Sequence, residues 1–302
     1  MFAVPLICGC YCEYRKEVYM PRDRRDGKFI PMKGDFKAIF PYLLKRRCDS
    51  LVFTARSIEV DNLVSYVHEQ RKLGNRISIF QIITIAMVKT LQERPEANRF
   101  IIGRRLYEHR DYEFSFMTKL EFSDEAPETS IKIKFDKDDV PSTIMEKLAN
   151  EIESAKTGPE DERGTEGLIS FFTKLPRFLL RFVIKVLEKM DFYFGIPKFI
   201  YDFDPLHCSV YIANLGSINL NAEYHHLYEW GNCSIFMTIG KIETVPVLER
   251  NGELVPKKYL EFKFSMDERI TDGFYMVRTL DLFKHYLLNP QELNIDFSGV
   301  KK

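Results

Sequence analysis

The segment that most restricts the fold begins at Ser78. Ser78 and Gln81 have the spacing of a capping box, and Ile82, Ile83, Ile85, Ala86, Val88 and Leu91 then spread apolar side chains round a helix that ends near Pro95. A helix this apolar has to be covered on more than one side, so the chain must build layers around it. With 302 residues, 45% of them apolar, it can do so without disulfides or a metal.

The remaining periodicities supply those layers. Ser57–Asp61 alternates like the end of a strand, and Asp61 can cap a helix that runs to about Leu73 and stops at Gly74. Strands are expected at Tyr112–Phe122 and Thr129–Phe135, the second because Ile131, Ile133 and Phe135 alternate with lysines. Asp138, Asp139 and Pro141 start a helix to about Ala155, and Lys156–Gly167 is a polar loop. Later strands are expected at Cys208–Ala213, Ser234–Gly240 and Tyr259–Met266, and a closing helix from Gly273 to Leu288 stops at Pro290. Arg15–Lys28, with Arg24 and Arg25 set between Asp23 and Asp26, reads as a solvated arm. The pattern is one α/β unit with a mixed sheet, residues 30–302, preceded by an arm at 1–29.

Charge and cysteine usage narrow the function. Lys plus Arg and Asp plus Glu are both 44, so no whole-chain field would gather nucleic acid, and no nucleic-acid partner is expected. Phe2–Cys12 is apolar but lacks the basic flank and cleavage site of a secretory signal. The six cysteines make no secreted framework, and free thiols suit the cytoplasm. Cys8, Cys10 and Cys12 would share one face of a strand, whereas structural zinc sites use a C-x2-C spacing, so no metal is expected.

Three ordered blocks resemble one family, the catalytic domain of the dihydrolipoamide acyltransferases together with chloramphenicol acetyltransferase. Ser57–Asp61, the Ser78 helix and Arg94-Pro95-Glu96-Ala97-Asn98 resemble its amino-terminal half. Ile212-Ala213-Asn214-Leu215-Gly216-Ser217 resembles its S-N-L-G turn. Asp267-Glu268-Arg269-Ile270-Thr271-Asp272-Gly273 resembles its D-H-R-x-x-D-G signature, with Asn289-Pro290-Gln291-Glu292-Leu293 closing the match. The resemblance implies a chloramphenicol acetyltransferase-like two-layer mixed sheet with flanking helices, and a homotrimer with active sites between subunits. It also implies transfer of an acyl group from a coenzyme A or acyl-carrier thioester to an acceptor.

The resemblance also implies a histidine base and a hydroxyl for the oxyanion, and both positions are changed. Glu268 holds the histidine position and Ala213 the hydroxyl position. The candidate site residues are therefore Glu268 as base, Asn214 and Ser217 for the oxyanion, and Asp272, which is expected to hold the motif loop through Arg24, Arg25 or Arg269. His226, beside His225, is a second candidate base; in an extended segment the two would point to opposite faces. His68, His109, His207 and His285 read as structural. Glu268 has a plainer reading, an ion pair with Arg269 or an arm arginine in an inactive trimeric scaffold or ligand-binding protein.

A stretch at about 165–200 exceeds what that family core requires. From Pro176, Phe178, Leu179, Phe182, Val183, Val186, Leu187 and Met190 form a wide apolar surface beside a basic stripe of Arg177, Arg181, Lys185 and Lys189. The 176–190 helix could dock on its own trimer, lie on an anionic membrane surface, or roof an acyl-chain pocket.

Overall fold

The computed structural model describes residues 23–119, 128–157 and 172–298. A six-stranded sheet runs in the order β2 (Leu51–Glu59), β9 (Leu254–Asp267), β8 (Ile235–Leu248), β7 (Val210–Asn214), β5 (Tyr112–Lys119), β6 (Glu128–Phe135). The inner neighbours β8, β7 and β5 are parallel and the other pairings antiparallel, so the sheet is mixed.

One face of this sheet is covered by α2 (Asp61–Lys72), α3 (Ile79–Glu93), α4 (Pro141–Thr157) and α7 (Gly273–Leu288). The helix opening at Ser78 is the α3 of this layer. Ser78 Oγ accepts from the Gln81 amide at 3.2 Å and Gln81 Oε1 accepts from the Ser78 amide at 2.8 Å, so the capping box is formed. Every residue from Ile82 to Val88 is buried. Alternation along the strands turns Val210, Ile212, Ile235, Met237, Phe262 and Phe264 into the same core, and the opposite face carries Tyr211, Phe236, Cys208 and Cys233 under the loop that holds Leu227.

The structure corrects several boundaries. Val60, not Asp61, occupies the cap position of α2, because Asp61 is already helical and its carboxylate accepts from the Lys258 amide at 3.0 Å. Strands β8 and β9 run well past the expected ends. Beyond Tyr259 they pair only with each other and project as a two-stranded ribbon that exposes Val245, Leu248 and Leu254. The far end of the expected 112–122 strand lies outside the described residues, as do Cys8, Cys10 and Cys12.

A second sheet, β1 (Gly27–Ile30), β4 (Arg105–His109) and β3 (Arg99–Ile102), was not expected, nor was α1 (Asp35–Leu43), whose pattern Pro41 interrupts. The solvated reading of the arm fails at Arg24 and Asp26, which are buried behind β1. The helix expected from Pro176 is α5 (Arg177–Tyr193), followed by the single turn α6 (Lys198–Tyr201).

Candidate functional site

Strand β9 delivers the signature loop. Its last residue, Asp267, is fully buried and accepts hydrogen bonds from Ser50 Oγ at 3.0 Å, from the Arg269 amide at 3.1 Å, and from the Arg269 guanidinium at 2.8 and 2.6 Å. Arg269 also donates to the Leu44 carbonyl at 2.8 Å. Behind it the buried Arg47 donates to the carbonyls of Tyr228 and Gly231 at 2.6 and 3.0 Å. Charge-assisted bonds between side chains that are largely buried fix this loop more firmly than surface pairs would.

Glu268 stands on that fixed loop with its side chain outward. Its amide donates to the Ser50 carbonyl at 3.0 Å, while the side chain is exposed and makes no ion pair among the described residues. Among the described residues the ion pair with Arg269 or an arm arginine is therefore not formed, because Asp267 takes Arg269 and Asp26 with Asp191 takes Arg24. Asp272 is not held by an arginine either. It accepts from the Tyr275 amide at 2.8 Å as the cap of α7 and faces Lys37 at 3.8 Å, and Arg25 instead donates to the Ile196 carbonyl.

The turn after β7 holds the second group. Ser217 Oγ is exposed and donates to the Asn214 carbonyl at 2.7 Å, so its proton is engaged until a stronger acceptor displaces that carbonyl. Asn214 alternates with Ile212 toward the helical face, away from Ala213. Gly216 is required by close approach. A Cβ there would lie 2.3 Å from the Gly240 carbonyl oxygen.

These two groups do not meet within one chain. Met266 is level with Ile235 and Val210, whereas Asn214 is level with Ile239 and Phe262, because β9 runs against β8 and β7. At about 3.3 Å per residue and 4.8 Å per strand, Glu268 and Ser217 lie on the order of 20 Å apart, at opposite ends of the sheet.

His225 and His226 do not point to opposite faces. The segment is not a strand, and the two rings stack at 4.5 Å while His225 lies on Phe236 at 4.2 Å. His225 Nδ1 is 2.7 Å from the His226 carbonyl, and burial lowers the pKa of His225. His226 is exposed on the outer face of the sheet.

Two clefts flank the signature loop. One of about 260 Å³ is lined by Lys45, Arg47, Arg104 and Arg269 beside Glu188, Asp191 and Glu229. The other, of about 220 Å³, is lined by Lys33, Lys37, Arg99 and Arg269 beside Glu96 and Asp272. The first is nearly balanced in charge, whereas the second has an excess of cations and suits an anionic group. Glu268 lines neither.

A buried network escaped the sequence reading. Arg24 donates to Asp26 at 2.8 Å and to Asp191 at 2.6 Å, and Asn232 donates to Asp26 at 2.9 Å. His207 faces Asp204 at 2.8 Å and Asp191 at 3.3 Å, and Trp230 donates to Asp204. Burial alone would lower His207, but hydrogen bonds with Asp191 and Asp204 carry it up to about 9. The partners lie as far apart as 206 positions, so no local spacing reveals them.

Residues 207–295, which carry both the turn and the signature loop, match the model of the 2-oxoacid dehydrogenases acyltransferase catalytic domain. Similar solved structures agree over most of the chain. A probable dihydrolipoamide acetyltransferase from Listeria monocytogenes is 15% identical, with a TM-score of 0.54 over 91% of this chain and 97% of that one. The chain has an acyltransferase fold. The cubic core of a pyruvate dehydrogenase multienzyme complex is 14% identical, with a TM-score of 0.53 over 97% of this chain and 100% of that one. Chloramphenicol acetyltransferase is 10% identical, with a TM-score of 0.54 over 86% of this chain and 99% of that one. No curated protein sequence matches the chain.

Proposed function

We propose that this protein is an acyltransferase that moves an acyl group from a coenzyme A or carrier-protein thioester to a nucleophilic acceptor, in a homotrimer whose sites form between copies. The observation that carries the reading is the opposed placement of Glu268 and Ser217 on a chain whose 207–295 segment matches an acyltransferase catalytic domain. Groups held roughly 20 Å apart in one copy can cooperate only across a boundary between copies.

At that boundary Glu268 removes the acceptor's proton as the acceptor attacks the thioester carbonyl. Asn214 and Ser217 donate to the oxyanion. The tetrahedral intermediate then collapses, the carbon–sulfur bond breaks, and Glu268 returns the proton to the departing thiolate. An unperturbed glutamate facing a thiol is about 4 pK units short, roughly 6 kcal/mol. Burying a carboxylate beneath a neighbouring copy is the general way in which such a deficit is reduced. His226 is the second candidate base, and Asp272 positions the loop by capping α7. The excess of cations in the cleft lined by Lys33, Lys37, Arg99 and Arg269 favours an anionic donor such as a coenzyme A thioester. Cysteine usage supports a cytoplasmic setting.

The test is complementation. Glu268→Gln and Ser217→Ala should each lower thioester consumption at least a hundredfold with little change in melting temperature, since both side chains are exposed. Co-assembly of the two variants should restore activity at about one quarter of the sites, where an intact glutamate meets an intact serine. Absence of turnover in the unmodified protein across a panel of thioesters and acceptors would leave an inactive scaffold. Full activity in Glu268→Gln would remove that residue from the mechanism.

A further inference from the structure

The outward face of α5 has no role in the acyltransfer reading. Its inward face is held in place: Leu187 is buried with Ile196 and Ile200, and Val183 and Met190 pack beside them. Asp191, on the same side, takes Arg24 and His207. At the far end the Phe192 carbonyl closes on Gly103, where a Cβ would lie 2.3 Å away. The helix is thus fixed on the body, and its other half looks outward.

That half carries two neighbouring rows at a spacing of four residues. Phe178 and Phe182 are 76% and 64% exposed, and Phe194 beyond the helix is 82% exposed. Alongside run Arg177, Arg181, Lys185 and Lys189, all exposed and none in an ion pair or hydrogen bond among the described residues. Glu188 is the one exposed acid in the same stretch, and it lines the cleft beside Lys45 and Arg47. Rings flanked by unpartnered cations on a rigid helix match a bilayer interface, where apolar side chains enter the acyl boundary and cations meet anionic headgroups. No helix among the described residues is long and apolar enough to cross a membrane, so the contact is parallel to the surface.

We infer that the outward face of α5 docks this protein on anionic membrane surfaces. Charge selects the occupant: a second copy would set one cationic row against another, and an electrically neutral bilayer would leave the cations without partners. Because α5 is already ordered on the body, binding costs no folding of the segment.

Flotation of the intact protein with phosphatidylcholine vesicles, with and without about 30 mol% phosphatidylserine, tests this. Binding should require phosphatidylserine and weaken at high salt. Lys185→Gln with Lys189→Gln should lower partitioning roughly fivefold for each cation removed. Phe178→Ser with Phe182→Ser should abolish it. Circular dichroism and thioester turnover should stay unchanged in both pairs, which separates this result from failure of the acyltransfer reading. Equal binding to both vesicle types, or none to either, would overturn the proposal. So would a fall in oligomer mass in the phenylalanine pair, which would make the face an interface between copies.

Discussion

His207 and His109 act on stability from opposite sides of neutrality. His207 is held protonated up to about pH 9 by Asp191 and Asp204, so its stabilisation is complete below the unfolded value near 6.5 and is lost as pH rises toward 9. The full effect is on the order of 3 kcal/mol. His109, packed on Phe100 at 4.4 Å, is pushed down to about 3 by burial and stays neutral, so its contribution holds above 6.5 and is lost as pH falls toward 3. Stability measured by urea unfolding across pH should therefore peak near 6.5, and His207→Gln should flatten the alkaline limb while leaving the acid limb in place. At this scale the sequence showed the signature and the turn, because each is contiguous. It did not show His207 as a charged centre, since Asp191 and Arg24 reach it from distant segments, nor the exposure of Glu268, which depends on the direction β9 takes out of the sheet.

Among the elements, α5 depends on one arginine. Arg24 is buried between Asp26 and Asp191, and hydrogen bonds to both carboxylates hold it protonated despite the burial. Arg24→Gln should destabilise the fold by about 3–5 kcal/mol and open the region of α5 to limited proteolysis before global unfolding, with Asp26 left without its cation and Asp191 held by His207 alone. If the cut in the variant appeared only at the global transition, α5 would not rely on this pairing. Elements with strong local signals were readable: α3 from its capping box, and α7 from Gly273 to Leu288 between its aspartate cap and Pro290. Those that depend on distant partners were not. Strand β1 forms only by pairing with β4, and the outer halves of β8 and β9 pass through Pro246 and Pro256, which face each other in the ribbon.

For the molecule as a whole, the resemblance and the layered expectation reach the correct fold because the core is contiguous on one face of a single mixed sheet. The resemblance implies boundaries between copies, but not which surfaces would form them, since that depends on what the fold leaves uncovered. Two surfaces left uncovered are the β8–β9 ribbon, which a lone pair of strands stabilises poorly in water, and the ends of the sheet that carry Glu268 and Ser217. Turnover per chain should accordingly fall on dilution in step with the loss of assembled mass in sedimentation, whereas a site complete in one chain would give constant turnover.

The antiparallel course of β9 against β7 also sets how this protein responds to a damaged copy. In the proposed assembly each chain would lend a proton acceptor to one neighbour and an oxyanion donor to the other, so a chain defective in both would silence two boundaries at once. Inherited lesions would then behave as dominant poisons in mixed assemblies, their harm exceeding their share of the population.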